Sequence, residues 1–139
     1  SKIAMPRPEP FLSKITRPRP ESLFLKITMP RPESIFKKKI KKDNNFIIQN
    51  QISFNESDDR NVARISDKDS LEAIIEVGKQ DCEAVFISCT NLKTFKIINE
   101  AEKVLDKPVV SSNQAISWQM LREAGINSTA GPGILFSKH

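Results

Sequence analysis

Apolar residues after residue 42 follow two kinds of spacing, and each kind predicts a type of element. Three short runs of apolar, mostly β-branched residues predict strands at residues 46–54, 84–87 and 108–110. Apolar positions recurring every three or four residues predict helices at about 66–78, 92–105 and 113–124. Strands and helices that alternate with short connections are typical of a parallel sheet with helices on both faces. The pattern therefore predicts a small α/β fold.

Residues near the ends of these helices sharpen the boundaries. Ser66 and the aspartates after it are N-cap candidates for the first helix, and Gly125 follows the last helix as its C-cap. The sequence Gly-Pro-Gly at 131–133 predicts a turn with no helix after it. Such a turn excludes a phosphate-binding loop, which requires a helix start.

The first 36 residues are three tandem copies of a twelve-residue repeat, each with a Pro-Arg-Pro-Glu core. Proline at alternate positions removes backbone donors and favours extended geometry. The few apolar residues of each repeat cannot offset the entropy of ordering the chain. A lysine-rich run then ends at residue 42. We predict a disordered Pro/Arg/Lys-rich tail at residues 1–42 and an α/β domain at residues 43–139.

Charge separates the same two segments. Residues 1–42 hold 12 basic and three acidic side chains, whereas residues 43–139 hold 10 basic and 14 acidic ones. The net charge of +5 therefore describes the tail and not the domain. One phenylalanine per repeat is too sparse for a base-stacking platform. We expect no nucleic-acid partner.

The two cysteines bear on compartment and metal content. No apolar stretch approaches the roughly 20 residues that cross a bilayer, and the chain starts without a secretory signal, so we expect no membrane partner and a reducing, cytoplasmic location. Cys82 and Cys89 would lie about 23 Å apart at opposite ends of one strand, too far for a disulfide. The only histidine is His139, and no Cys/His ligand spacing is present. We expect no metal site.

Polar residues follow two of the predicted strands, at 88–91 (Ser-Cys-Thr-Asn) and 111–114 (Ser-Ser-Asn-Gln). The carboxyl ends of parallel strands share one edge, where open α/β sheets bind ligands. Cys89 is expected at a helix N-terminus, where the helix dipole favours a thiolate and free N–H groups hold a carboxylate. A packing role remains the alternative, because free cysteines are often buried. The guanidinium of Arg64 suits a carboxylate.

Several blocks carry a resemblance to a known family. They are FNESDD (54–59), VARIS (62–66), AVFISCTNLKT (84–94), KPVVSSNQA (107–115), Trp118 and LREAG (121–125). Together they resemble the maleate isomerase and arylmalonate decarboxylase branch of the Asp/Glu racemase superfamily, over roughly residues 46–136. The SCTNL and KPVVSSNQA blocks in this order and spacing are specific to that branch.

The resemblance implies a fold and a chemistry. The fold is one flavodoxin-like lobe, the C-terminal one, of a two-lobed racemase fold. The chemistry is cofactor-independent isomerisation, racemisation or decarboxylation of a small dicarboxylate, such as maleate or an arylmalonate, by a catalytic cysteine. Cys89 matches the cysteine of this lobe. Thr90 and Asn91 match its carboxylate-contacting neighbours, and Asn113 lies on the adjacent loop.

The resemblance leaves the N-terminal lobe and its cysteine without a counterpart in the chain, where the repeat tail stands instead. Because acid and base must both reach the substrate, we expect an isolated monomer to be inactive. A second copy, as a homo-oligomer, or a partner chain would supply the missing lobe. Two functions remain open: a dicarboxylate-converting lobe, and a non-catalytic remnant that serves as a binding or assembly module or has no function.

Overall fold

The computed structural model describes Ile48 and residues 50–139, so the predicted tail lies outside the described residues. The elements are α1 (Asp59–Val62), α2 (Asp67–Gly78), β1 (Val85–Ile87), α3 (Ile98–Leu105), β2 (Val109–Ser111), α4 (Ser112–Glu123) and α5 (Gly133–Lys138). None of the helices in this described part is long and apolar enough to cross a membrane.

The two strands pair in parallel, with Val85 opposite Val109 and Ile87 opposite Ser111. Alternate strand residues enter two different hydrophobic clusters: Val85, Ile87 and Val109 belong to one, and Val110 belongs to the other. Successive side chains of a strand point to opposite faces. The sheet is therefore covered on both faces, which confirms the predicted α/β fold.

Helix α2 begins where its cap was predicted. The Ser66 hydroxyl accepts a hydrogen bond from the Asp69 N–H at 3.0 Å, and Ile74 and Val77 are fully buried against the sheet side of the core. At its other end, the Lys107 ammonium donates to the Gly78 carbonyl at 2.8 Å. A cation there complements the negative end of the helix dipole.

The predicted first strand is wrong for the part that the structure describes. Residues 50–54 have no strand, and the sheet among the described residues has two strands. Ile52 and Phe54 instead pack, partly buried, against the core cluster that includes Ile74. Their alternating apolar side chains are thus buried without any backbone pairing to β1 or β2.

The helix predicted at 92–105 begins later, at Ile98. A turn leads into this helix: the Thr94 carbonyl accepts hydrogen bonds from the Ile97 N–H at 3.0 Å and the Ile98 N–H at 3.2 Å. Leu92 is 1% exposed, so it reaches the core from an irregular segment. We call residues 88–97 the β1–α3 loop.

Helix α4 confirms the prediction for residues 113–124. Ser111 caps it, and the Gln114 side chain reaches back to the Ser111 N–H at 3.1 Å, which completes a capping box. Gly125 follows with φ of 76°, a conformation that glycine adopts without strain. Trp118 is 1% exposed and packs with Val110 in the second cluster.

Helix α5 was not predicted, and the expectation that no helix follows the Gly-Pro-Gly turn is wrong. Its N-terminus is held by side chains of α3: the Gly133 N–H donates to Asn99 Oδ1 at 2.7 Å, and the Ile134 N–H donates to Glu102 Oε2 at 2.8 Å. Glu102 Oε1 also accepts from the Val109 N–H at 2.9 Å. A carboxylate at a helix N-terminus stabilises it.

Candidate functional site

The two polar strand ends meet at one edge of the sheet, as predicted. Asn113 Nδ2 donates to the Thr90 carbonyl at 2.8 Å, and Ser112 Oγ donates to the Ile87 carbonyl at 3.4 Å. These bonds tie the first turn of α4 to the start of the β1–α3 loop. The end of β1 and the beginning of α4 therefore form a continuous surface.

A cavity of about 620 Å³ opens at this surface. Four of the predicted site residues line it: Arg64, Thr90, Asn91 and Asn113. Arg64 lies in the exposed turn after α1, more than 20 residues before the two strand ends in sequence. The structure thus brings all four proposed substrate-binding residues to a single cavity.

The cavity is cationic and partly apolar. Lys93 and Lys96 line it together with Arg64, and Asp67 is the acidic residue in its lining. The sequence interpretation missed both lysines, because it placed residues 92–105 in one solvated amphipathic helix. The signal that was available is their position close behind the Ser-Cys-Thr-Asn tip.

Thr94 also lines this cavity and was missed for the same reason. Its side chain is 2% exposed, and its hydroxyl has no hydrogen-bond partner among the described residues. A buried hydroxyl without a partner is unfavourable, because it has lost its water without replacement. Thr94 is therefore a polar group in the cavity wall whose bonding capacity is unused.

Cys89 does not occupy the place that was expected for it. It follows β1 by two residues, its side chain is half-buried, and it packs against the core cluster that contains Ile87. It is not among the residues that line the cavity. The next helix, α3, begins only at Ile98, so the prediction that a helix starts directly after Cys89 is wrong.

Cys82 lies before β1, at the opposite edge of the sheet, and both cysteines are free. Burial raises the pKa of the Cys82 thiol, against the opposing effect of the Lys107 ammonium 3.7 Å from its sulfur. A thiol held in its neutral form is a poor nucleophile. Cys82 is therefore a packing residue, and it does not line the cavity.

In the described part of the chain, no group of three or more His, Cys, Asp or Glu side chains converges on a point where a metal ion could bind. The cavity instead offers guanidinium, ammonium, hydroxyl and amide groups. These are donors, and they suit an anionic ligand.

Comparisons with known proteins agree with this fold. The sequence profile of the family described as arylmalonate decarboxylase matches residues 39–136. Over 53 residues the chain is 42% identical to arylmalonate decarboxylase of Bordetella bronchiseptica, a segment that covers 38% of this chain and 22% of that protein.

Solved structures give the same result. A mutant of arylmalonate decarboxylase in a sulfate-associated form matches with a TM-score of 0.74 and 20% identity, covering 91% of this chain and 55% of that one. The maleate cis-trans isomerase of Nocardia farcinica matches with a TM-score of 0.69 and 18% identity, covering 84% and 48%. The chain thus spans about half the length of these solved relatives.

At such identities the solved structures show a shared fold, and the family assignment comes from the profile, which spans nearly all of the α/β domain. The residues that carried the resemblance all lie within the matched range. The chain belongs to the arylmalonate decarboxylase family, and it shares its fold with the maleate isomerases.

Proposed function

We propose that residues 43–139 form a cofactor-independent lobe of isomerase, racemase or decarboxylase type, which acts on a small dicarboxylate through Cys89. The relatives are named for maleate and arylmalonate, which are both small dicarboxylates. The observation that carries the proposal is that one cationic cavity is lined by all of Arg64, Thr90, Asn91 and Asn113.

Each of these residues has a donor for a carboxylate. The Arg64 guanidinium offers two parallel N–H groups that match both oxygens of one carboxylate. Thr90 and Asn91 are exposed at the cavity wall and offer a hydroxyl and an amide. Asn113 uses one amide hydrogen on the Thr90 carbonyl and keeps a second for the ligand.

In this proposal Cys89 is the group that exchanges a proton with the substrate carbon or adds to it. Cys89 immediately precedes Thr90 in sequence, so a carboxylate that Thr90 binds is held next to the residue that carries the thiol. Proton transfer needs the donor within hydrogen-bond reach of the substrate. Since the chain spans about half the length of its solved relatives, we propose that a second copy or a partner chain completes the cleft.

The second candidate is a carboxylate-binding module without catalysis. One observation favours it: the Cys89 side chain packs against the hydrophobic core and does not line the cavity. Both candidates require the cavity to bind a dicarboxylate. Only the first requires a thiol that reacts from within the reach of that ligand.

Alkylation of Cys89 separates the two, in a chain carrying Cys82→Ser so that one thiol is measured. Iodoacetate is an anion and iodoacetamide is its neutral counterpart, so the ratio of their rates reports a cationic cavity beside the sulfur. We expect this ratio to exceed that of free cysteine several-fold, and maleate or phenylmalonate to slow the alkylation. Arg64→Gln should return the ratio toward that of free cysteine.

The matched control is Arg60→Gln. Arg60 is exposed, is paired with Asp58 at 3.2 Å and does not line the cavity, so its loss should leave the ratio unchanged. Dicarboxylate binding by calorimetry without protection of Cys89 would favour the binding module. Neither binding nor protection would contradict both candidates.

A further inference from the structure

We propose that Thr94, with Lys93 and Lys96, forms a second anion subsite in the cavity, which receives the second carboxylate of the ligand and makes the cavity selective for dianions. This inference rests on the proposed function, in which Arg64, Thr90, Asn91 and Asn113 hold the first carboxylate. It adds three residues to which neither the family resemblance nor the sequence pattern gave a role.

The Thr94 hydroxyl is an unused hydrogen-bond donor. Thr94 lines the cavity and is 2% exposed, and its hydroxyl is buried with no partner among the described residues. Of the other buried polar side chains, Gln114 bonds both Ser111 and Pro132, whereas the Ser70 hydroxyl is unpaired but does not line the cavity. A donor left unpaired beside a cavity is explained if the cavity holds an acceptor when it is occupied.

Two lysines flank Thr94 and add positive charge to this part of the cavity. Lys93 and Lys96 lie on either side of Thr94 in the β1–α3 loop, and both line the same cavity. A hydroxyl that donates to a carboxylate makes a short, charge-assisted bond, and two ammonium groups add attraction at longer range. The combination favours a ligand group that carries a full negative charge.

Thr94 lies at a different part of the β1–α3 loop from Thr90 and Asn91. Thr90 and Asn91 stand at the start of the loop, and Thr94 stands near its end, with the apolar Leu92 between them in sequence. Leu92 and Phe95 both line the cavity. The cavity lining therefore combines polar groups at both ends of the loop with apolar side chains, a combination that suits a ligand with two carboxylates on a carbon skeleton.

The test compares maleate with its monomethyl ester, which retains one carboxylate. Calorimetry would measure the affinity of both ligands for the wild-type chain, Thr94→Val and Thr94→Ser. Valine has the shape of threonine without the hydroxyl. We expect Thr94→Val to weaken maleate binding about tenfold or more, to leave the monoester unchanged, and Thr94→Ser to bind as wild type does.

Thermal unfolding provides a second readout. Removing an unpaired buried hydroxyl should leave the ligand-free midpoint unchanged or raised, while the additional rise caused by maleate should shrink. Ser70→Ala is the matched control: Ser70 is 1% exposed with an equally unpaired hydroxyl, but it lies in α2 and does not line the cavity. Its loss should not change maleate affinity.

Each outcome decides between the two proposals. If Thr94→Val binds maleate as tightly as the wild type, or if it lowers the ligand-free midpoint, the second subsite is overturned. The proposed function then still stands provided that Arg64→Gln weakens both ligands. If the wild-type chain binds neither maleate nor its monoester, the proposed function fails and the subsite fails with it.

Discussion

Two strand ends that look alike in sequence have opposite fates in this molecule. Residues 88–91 and 111–114 are both short polar tips that follow a buried strand and lie at the same sheet edge. The second tip enters helix α4 at once, at Ser112. The first continues as an irregular loop until α3 begins at Ile98.

The two tips differ at their fourth residue. Gln114 reaches the Ser111 N–H at 3.1 Å while its own N–H donates to Ser111 Oγ at 3.2 Å, so the helix start is closed from both sides. At the equivalent position the first tip has Asn91, which is one methylene shorter, exposed, and part of the cavity lining. An unclosed tip leaves its donors free for a ligand.

Side chains near the second tip form several further hydrogen bonds with the start of α5. We call the side chains of Asn99, Glu102, Ser111 and Gln114 the polar network. Asn99 and Glu102 hold the first N–H groups of α5, and Gln114 Nε2 donates to the Pro132 carbonyl at 2.7 Å. We therefore expect substitutions in the polar network to change stability, and substitutions in the β1–α3 loop to change binding.

The largest expected effect is that of Glu102→Ala. Glu102 is 9% exposed and accepts hydrogen bonds from the N–H groups of Val109 and Ile134, which would both lose their partner. We expect the free energy of unfolding in urea to fall by about 2–4 kcal/mol. Glu100→Ala, on the exposed face of the same helix, should change it by less than about 0.5 kcal/mol. Equal effects would show that the polar network does not support the fold.

A smaller effect is expected when the second tip is made to resemble the first. Gln114→Asn shortens the side chain, so that both the capping bond to Ser111 and the bond to the Pro132 carbonyl are lost. We expect a loss of about 1–3 kcal/mol in the free energy of unfolding. The reciprocal variant Asn91→Gln should change stability by less than about 0.5 kcal/mol, since Asn91 is exposed. A stabilising Asn91→Gln as large as the loss would mean that the cap alone decides both tips.

Local chemistry determines which elements could be predicted from sequence. The Ser66 cap, the two buried strands and the Ser-Ser-Asn-Gln start of α4 are each coded by adjacent residues. Their bounds were accordingly predicted to within a few residues.

The elements that were missed depend on distant partners. Helix α5 has six residues, and its start is held by Asn99 and Glu102, more than 30 positions earlier. A signal was present at Glu102, which lies four residues after Ile98 and three before Leu105, on the apolar face of α3. A carboxylate at such a position indicates a buried acceptor.

The candidate site divides in the same way. Residue types and the shared sheet edge were enough to predict that Thr90, Asn91 and Asn113 meet and to single out Cys89, to which the resemblance then gave a catalytic role. The placement of Cys89 against the core and the burial of Thr94 follow from the course of the β1–α3 loop. Helical spacing at Leu92, Phe95 and Ile98 concealed that loop, because a side chain can reach the core from a helix or from an irregular segment.

The smallest expected effect concerns pH and tests how the polar network tolerates a buried charge. Burial raises the pKa of the Glu102 carboxyl above its ordinary value of 4.5, against the opposing hydrogen bonds from the Val109 and Ile134 N–H groups and the Lys138 charge. The folded chain therefore binds this proton more tightly than the unfolded chain. Its contribution to stability is greatest at low pH and declines as pH rises from 4.5 through the folded pKa.

Comparison with Glu102→Gln isolates this contribution, because glutamine does not titrate and all other carboxyls are common to both proteins. The lowered pKa values of Glu56 and Asp58, which add stability with rising pH, cancel in the difference. The unfolding free energy of wild type minus that of Glu102→Gln should decrease between about pH 4 and pH 7, by about 1.4 kcal/mol for each tenfold change in proton affinity. A difference that increases with pH would mean that the two N–H groups outweigh burial, and that the polar network holds Glu102 as a stabilising anion at the start of α5.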